Sequence, residues 1–199
     1  KSKGAKLKYQ KIVTEYFDKQ RKLHTGSLRL DDPSMVRPAD ELPWLISDMG
    51  DKKKLKEVLA DLSILGRLFI GQEFELLQLW RCVGLPGEEI ADLYLQSIKA
   101  RAKMALKSAG KNTESEGSLL NTLIFYLNGL SYFMEMASYR TAQEKILLAE
   151  MDMLEKASSY LPQMSLKRSQ AVIKTKLAYL YTDLGRYGDA IALQSDILE

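Results

Sequence analysis

The chain has 199 residues, 46% of them hydrophobic and 28% charged, with a net charge of +3. That is enough to build one domain or two small ones around a proper core, and too little charge to argue by itself for nucleic acid. No stretch approaches the roughly 18 uncharged apolar residues of a membrane span, no secretory signal is visible, and the single cysteine, Cys82, excludes an internal disulfide and agrees with a reducing compartment.

Leu7, Ile12, Val13, Tyr16 and Phe17 recur at helical spacing with lysines opposite, which predicts an amphipathic helix from Lys6 to Leu23. Lys1, Lys3, Lys6, Lys8 and Lys11 crowd the start. Such a run reads as a solvated helix face or linker, or as a surface for an acidic lattice such as microtubules. No basic–aromatic interleaving accompanies it, so nucleic acid is not an expected partner. His24 to Met35, with Gly26, Ser27, Asp31, Asp32 and Pro33, carries loop chemistry.

Pro38 suits a helix start. If the helix begins near Ala39, Pro43 falls in the first turn, where a missing donor costs little. Trp44, Leu45 and Met49 are then expected to point inward, with Trp44 as a core anchor, and Gly50 ends the helix. Asp51 is a natural N-cap for the next helix, whose first turn is Lys52, Lys53 and Lys54. Cations are mildly unfavourable there, so these lysines serve solubility or a contact. Leu55, Val58, Leu59 and Leu62 continue the core face.

Leu65 to Ile70 reads as a short apolar connection containing Gly66. Gln72 to Val83 reads as a helix with Phe74, Leu77 and Trp80 inward. Gly84-Leu85-Pro86-Gly87 breaks it, and Glu88 and Glu89 suit the dipole of the next first turn. That helix is expected to reach Ser108, with Ile90, Leu93, Tyr94, Ile98, Met104 and Leu106 apolar.

Gly110 to Gly117 is polar and bounded by glycines, and is read as a linker between an N-terminal helical module (1–109) and a repeat module (118–199). Leu119 to Ala137 and Ser138 to Tyr160 form a long helical hairpin. Pro162 turns the chain, and Ser165 or Ser169 is placed to cap the next helix. No strand pattern of useful length appears, so the predicted fold is all-α, an array of helical hairpins.

In Ala171 to Glu199, Ile173, Leu177, Leu180, Tyr181 and Leu184 form one apolar face, and Tyr187, Ala190, Ile191 and Leu198 form a second after Gly185. Ala178, Tyr181, Gly185, Tyr187 and Ala190 match in register the small, aromatic, glycine, aromatic and alanine signature of a tetratricopeptide repeat (TPR), which this stretch resembles. Tyr139 and Ala142 echo Tyr187 and Ala190 at the same mutual spacing. The resemblance implies a TPR-like right-handed superhelix, in which the first helix of each repeat lines a concave surface. Thr175, Tyr179, Thr182 and Asp183 are the candidate partner contacts on it. A repeat cannot bury its apolar face alone, so the chain is expected to be a fragment of a longer protein.

Tyr16-Phe17, then Glu41-Leu42-Pro43-Trp44-Leu45, Gly50, and Leu55, Leu59 and Asp61-Leu62 carry a second resemblance, over Tyr9 to Leu85. This stretch is similar to the segment after the ATPase core in NACHT-type signalling ATPases with C-terminal TPR arrays, the nephrocystin-like group. The resemblance implies a segment lying between a nucleotide-binding module and the repeats.

Catalytic chemistry is not legible. One His and one Cys fall short of the roughly four ligands of a structural zinc site, and Cys82, just after Trp80, is expected to be a buried, inert thiol. Gly110-Lys111 lacks the rest of a phosphate loop, since Ala105 and Asn112 stand where the motif needs glycine and Ser or Thr. No isolated carboxylate pair suggests acid–base work. The expectation is a protein without catalytic residues, cofactor or metal: a scaffold binding protein partners along its helical surface. The alternatives are a regulatory segment of a NACHT-type ATPase switch and a structural element of a ciliary or microtubule assembly. Each implies the cytoplasm, cilium or cytoskeleton.

Overall fold

The computed structural model describes residues 3–24, 33–108 and 113–198. Among them are ten α-helices, one 3-10 turn and no strand. The chain divides into two compact units, residues 1–97 and 98–199. The division falls inside the sixth helix rather than in the glycine-bounded stretch. Gly110 to Asn112 lie outside the described residues, and Thr113 to Gly117 open the seventh helix. Gly117 serves a close approach there: a Cβ on it would lie 3.2 Å from the Tyr160 Cβ.

The first unit contains α1 (Lys3–His24), a 3-10 turn (Pro33–Met35), α2 (Val36–Asp48), α3 (Lys52–Leu59), α4 (Leu62–Leu68), α5 (Glu73–Val83) and the start of α6 (Gly87–Ser108). The loop expected from His24 lies outside the described residues at 25–32.

α1 turns an unexpected face inward. Of its apolar residues only Phe17 is buried and Val13 half-buried, while Leu7, Ile12 and Tyr16 are exposed. Its inner face carries Thr14, Asp18 and Arg21, all buried. Arg21 Nη1 donates to Asp61 Oδ2 at 2.8 Å, and Nη2 donates to Asp18 Oδ1 at 2.8 Å and to Glu57 Oε1 at 3.1 Å. Lys22 and Lys54 reach the other Asp18 oxygen at 3.1 and 3.3 Å. Lys54 thus has the contact that a cation at a helix N-terminus requires. Asp61 also caps α4, accepting from the Ser63 backbone N–H at 3.0 Å and the Ser63 hydroxyl at 2.6 Å. Burial pushes the Asp18 carboxyl up, but hydrogen bonds from Arg21 and Lys22 outweigh it and hold the group at about 2.

α2 starts at Val36, so Pro43 lies inside the helix rather than in its first turn. Ala39, Leu42, Pro43 and Ile46 form the buried stripe at helical spacing. Trp44, Leu45 and Met49 flank it and are only half-buried. The first unit's core tryptophan is Trp80 instead. It is fully buried, meets Tyr94 edge-on, and donates its indole N–H to the Tyr94 hydroxyl at 2.9 Å. Burial pushes the Tyr94 phenol up.

Leu65 to Ile70 is not a plain connection. The Asp61 cap converts Leu62–Leu68 into a short helix with Leu62, Ile64, Leu65 and Leu68 buried. In α5, Leu76, Leu77, Leu79 and Trp80 fill the inner stripe, which leaves Phe74 outside it and 69% exposed. Leu93 on α6 is half-buried between the buried Ile90 and Tyr94, and the side chains of Met104 and Leu106 lie outside the described residues.

The second unit takes α6 from Ile98 onward, then α7 (Thr113–Met136), α8 (Arg140–Lys156), α9 (Gln163–Asp183) and α10 (Tyr187–Leu198). Successive helices pack on one another, α7 on α8, α8 on α9 and α9 on α10. α9 begins after Pro162 with no side-chain cap; the expected caps Ser165 and Ser169 lie within the helix, because proline itself sets the start.

The hairpin turns share one geometry. Gly185 N–H donates to Thr182 O at 3.0 Å and Arg186 N–H to Tyr181 O at 2.7 Å. Ser138 N–H donates to Glu135 O and Tyr139 N–H to Met134 O, both at 2.9 Å. Gly185 and Ser138 are left-handed, at φ 73° and 59°, as this helix-ending motif requires. Gly50 closes α2 in the same way, its N–H donating to Ser47 O at 2.9 Å and that of Asp51 to Ile46 O at 3.3 Å. Asp51 then caps α3 through Lys54 N–H at 3.0 Å. The turn register pairs Ser138 with Gly185, so Gln143 rather than Ala142 stands where Ala190 does. Gln143 and Ala190 are both buried.

Candidate partner-binding face

The inner stripe of α9 is Ile173, Leu177, Ala178, Leu180 and Tyr181, all buried. Thr175, Tyr179, Thr182 and Asp183 fall at helical spacing on its other side, and all four are exposed. Their free chemistry is narrower than the sequence implied. Thr175 donates its hydroxyl to Ala171 O at 2.8 Å, and Thr182 donates to Ala178 O at 2.9 Å, so the donor proton of each is spent on its own helix and only acceptor lone pairs remain for a partner. Asp183 pairs with Arg140 at 3.3 Å. Tyr179 is 68% exposed and is the one aromatic side chain of the four.

The signature residues divide. Ala178 and Ala190 are buried in one cluster with Leu177, Leu180 and Tyr181, so the two helices meet at small side chains. Gly185 supplies the left-handed turn. Tyr187 is exposed, as are Leu184 and Ile191. The reason is that α10 packs on α9, which covers only the stripe that carries Ala190 and, in part, Leu193. The side chain of Leu198 lies outside the described residues.

Arg186 has no apolar periodicity to announce it, yet it organises the turn. Its guanidinium lies 4.0 Å from the centre of the Tyr181 ring. Nη1 donates to Glu144 Oε1 on α8 and Nε donates to Asp189 Oδ2 on α10, both at 2.8 Å. Those two carboxylates raise the affinity of Arg186 for its proton. Burial, then the neighbouring Glu144, push the Tyr181 phenol up. Only the Arg186–Asp189 spacing was a signal in the sequence.

Cys82 is exposed rather than buried, because it sits outside the stripe that buries Leu76, Leu79 and Trp80 on α5. Among the described residues no group of three or more His, Cys, Asp or Glu is placed to hold a metal ion. No described helix is long and apolar enough to cross a membrane.

The class these observations define is an all-α array of helical hairpins joined by left-handed turns. Curated proteins to which the chain is similar include nephrocystin-3 from several vertebrates. The chain is 34% identical over 118 residues to nephrocystin-3 of Xenopus laevis, covering 59% of this chain and 8% of that protein. It is 34% identical over 87 residues to the Homo sapiens protein and 35% over 89 residues to that of Mus musculus, covering 43% and 44% of this chain and 6% and 7% of theirs. These similarities support a nephrocystin-like relationship, and the chain spans less than a tenth of the length of the relatives it matches. No family model matches the chain, and no solved structure matches it significantly.

Proposed function

We propose that this chain is a non-catalytic protein-interaction scaffold built of TPR-like hairpins, one part of a nephrocystin-like protein. The observation that carries the reading is the pair of hairpins α7–α8 and α9–α10. They are closed by the same left-handed turn and packed in series, and they leave Tyr179 and its neighbours uncovered on α9. Packed serial hairpins present long surfaces for partners. Residues 1–97 are a supporting module, and the reading assigns no cofactor and no metal. The setting it implies is the cytoplasm or a liaison with the cilium and cytoskeleton, where exposed Lys6, Lys8 and Lys11 would face an acidic lattice such as microtubules.

Affinity capture with the chain, compared with a variant carrying Thr175→Ala, Tyr179→Ala, Thr182→Ala and Asp183→Ala, tests it. A specific set of proteins lost by the variant, with helicity kept, is the expected result. An identical set for both removes α9 as the binding face. The similarity of residues 9–85 to the segment beside an ATPase core favours a second reading, a regulatory segment of a NACHT-type switch. A nucleotide-dependent change in hydrogen exchange of α1–α5 within a longer protein carrying the ATPase core would support that reading over the first.

A further inference from the structure

A cavity of about 360 Å³ opens in the second unit between α7, α8 and α9. Ile124, Phe125, Val172 and Ile173 give it apolar walls, and Asn128 and Glu150 give it polar groups. Glu150 is only 2% exposed. Its Oε1 accepts from Asn128 Nδ2 at 3.2 Å, while its Oε2 is buried without a hydrogen-bond partner. Lys176 acts on this carboxylate through its charge. Exposed Arg168 also lines the cavity.

A buried acceptor with no partner carries the full cost of its desolvation. Burial accordingly pushes the Glu150 carboxyl up, against the Asn128 hydrogen bond and the Lys176 charge. The group that relieves this cost best is a cationic donor, since charge-assisted hydrogen bonds are the strong ones. The apolar walls suit an alkyl stem behind such a donor. Arg168 beside them and Lys176 near the carboxylate both oppose additional positive charge, so the ligand carries no more than the one cation that Glu150 offsets, on an aliphatic stem.

We propose that this cavity receives a single lysine side chain of a protein partner, its stem against Phe125 and Val172 and its ammonium on Glu150. The proposal rests on the scaffold reading and names the chemistry that a partner presents to it. A lysine so placed brings a cationic donor to the Glu150 carboxylate where this residue lines the cavity.

The probe is n-butylamine, a lysine side chain without its backbone, titrated against the 199-residue chain with 1-butanol as the uncharged control. Amide NMR shifts at residues 121–128 and 168–173 report the cavity. Butylammonium should shift these amides saturably and bind at least about tenfold tighter than butanol, the worth of about 1.4 kcal/mol. Glu150→Gln should abolish that preference while helicity is kept. Equal binding of amine and alcohol, no saturable shift, or a preference that survives Glu150→Gln overturns the proposal. If Glu150→Gln does not fold, the amine–alcohol comparison on the unmodified chain decides alone. Partner capture without amine binding removes the pocket and leaves the scaffold; amine binding without partner capture removes the lysine-bearing partner.

Discussion

In residues 1–97 a guanidinium and two carboxylates are buried together between α1, α3 and α4, whereas the core shared by α8, α9 and α10 is aliphatic apart from Tyr181. Around the second core, ion pairs such as Arg186–Glu144 and Lys174–Asp196 sit at more exposed positions. A buried ionic network is weak evidence of stability but is costly to leave incomplete. An aliphatic seam of small residues is instead sensitive to volume. The two units therefore have different weak points, although Gly50 and Gly185 close a helix in each by the same turn.

Four measurements break or sharpen that contrast. The largest effect is expected from Arg21→Ala, which leaves Asp18 and Asp61 buried without their guanidinium. It should cost about 3–5 kcal/mol in denaturant melts, with protection lost in α1–α4. A cost below about 1 kcal/mol would mean that α1 is not held by its charges.

The second is a pH effect. Asp18 falls from the usual 3.8 to about 2 in the folded chain. A depressed carboxylate contributes stability that is present above the unfolded value and lost as pH falls through the folded one. Acidification from pH 5 towards 2 should therefore remove about 2 kcal/mol from the first unit. Asp18→Asn should flatten the dependence of α1 protection over that window.

The third change, Ala190→Leu, overpacks the seam with Ala178 and should cost about 1–3 kcal/mol. The loss should fall on α9 and α10, because neighbouring interfaces stabilise serial hairpins. Hydrogen exchange around Trp80 should not change. Unaltered exchange in α10 would remove the close crossing.

The smallest effects concern the turns, and their signs are opposite. Gly185→Ala forces a side chain into left-handed backbone and should destabilise by about 1 kcal/mol. Ser138→Gly relieves the same strain and should stabilise by about 0.5 kcal/mol, the remainder going to unfolded-chain entropy. Equal signs in thermal melts would show that the two turns are not equivalent.

Glycine and aspartate were the most legible residues. Gly50, Gly84 and Gly185 were read as helix ends and take positive φ; Asp51 was read as a cap and accepts from Lys54 N–H. Leu55, Val58, Leu59 and Leu62, and Ile173, Leu177, Leu180 and Tyr181, are buried as their spacing predicts, whereas Leu184 on the second of these faces is exposed. The candidate face was legible as a face, but not the back-bonding of Thr175 and Thr182, which depends on rotamers. Asp61 was read only for its resemblance, and its pairing with Arg21 across 40 residues has no local signal.

What this sequence determined by itself is most of the helices and the ends marked by Gly50, Asp51, Gly84 and Gly185, because periodicity, capping and left-handed glycine act within a few residues; α4 and the opening of α7 at Thr113 were not legible in it. What the tertiary structure alone decided is which side of each helix faces inward. α1 presents two such sides, one apolar and one charged, and the charged one is buried because α3 and α4 offer Glu57, Asp61 and Lys54 to complete it. Tyr187 and Ile191 have the hydrophobicity of core residues yet remain exposed, because burial needs a facing surface and α10 packs on α9 through the stripe that carries Ala190.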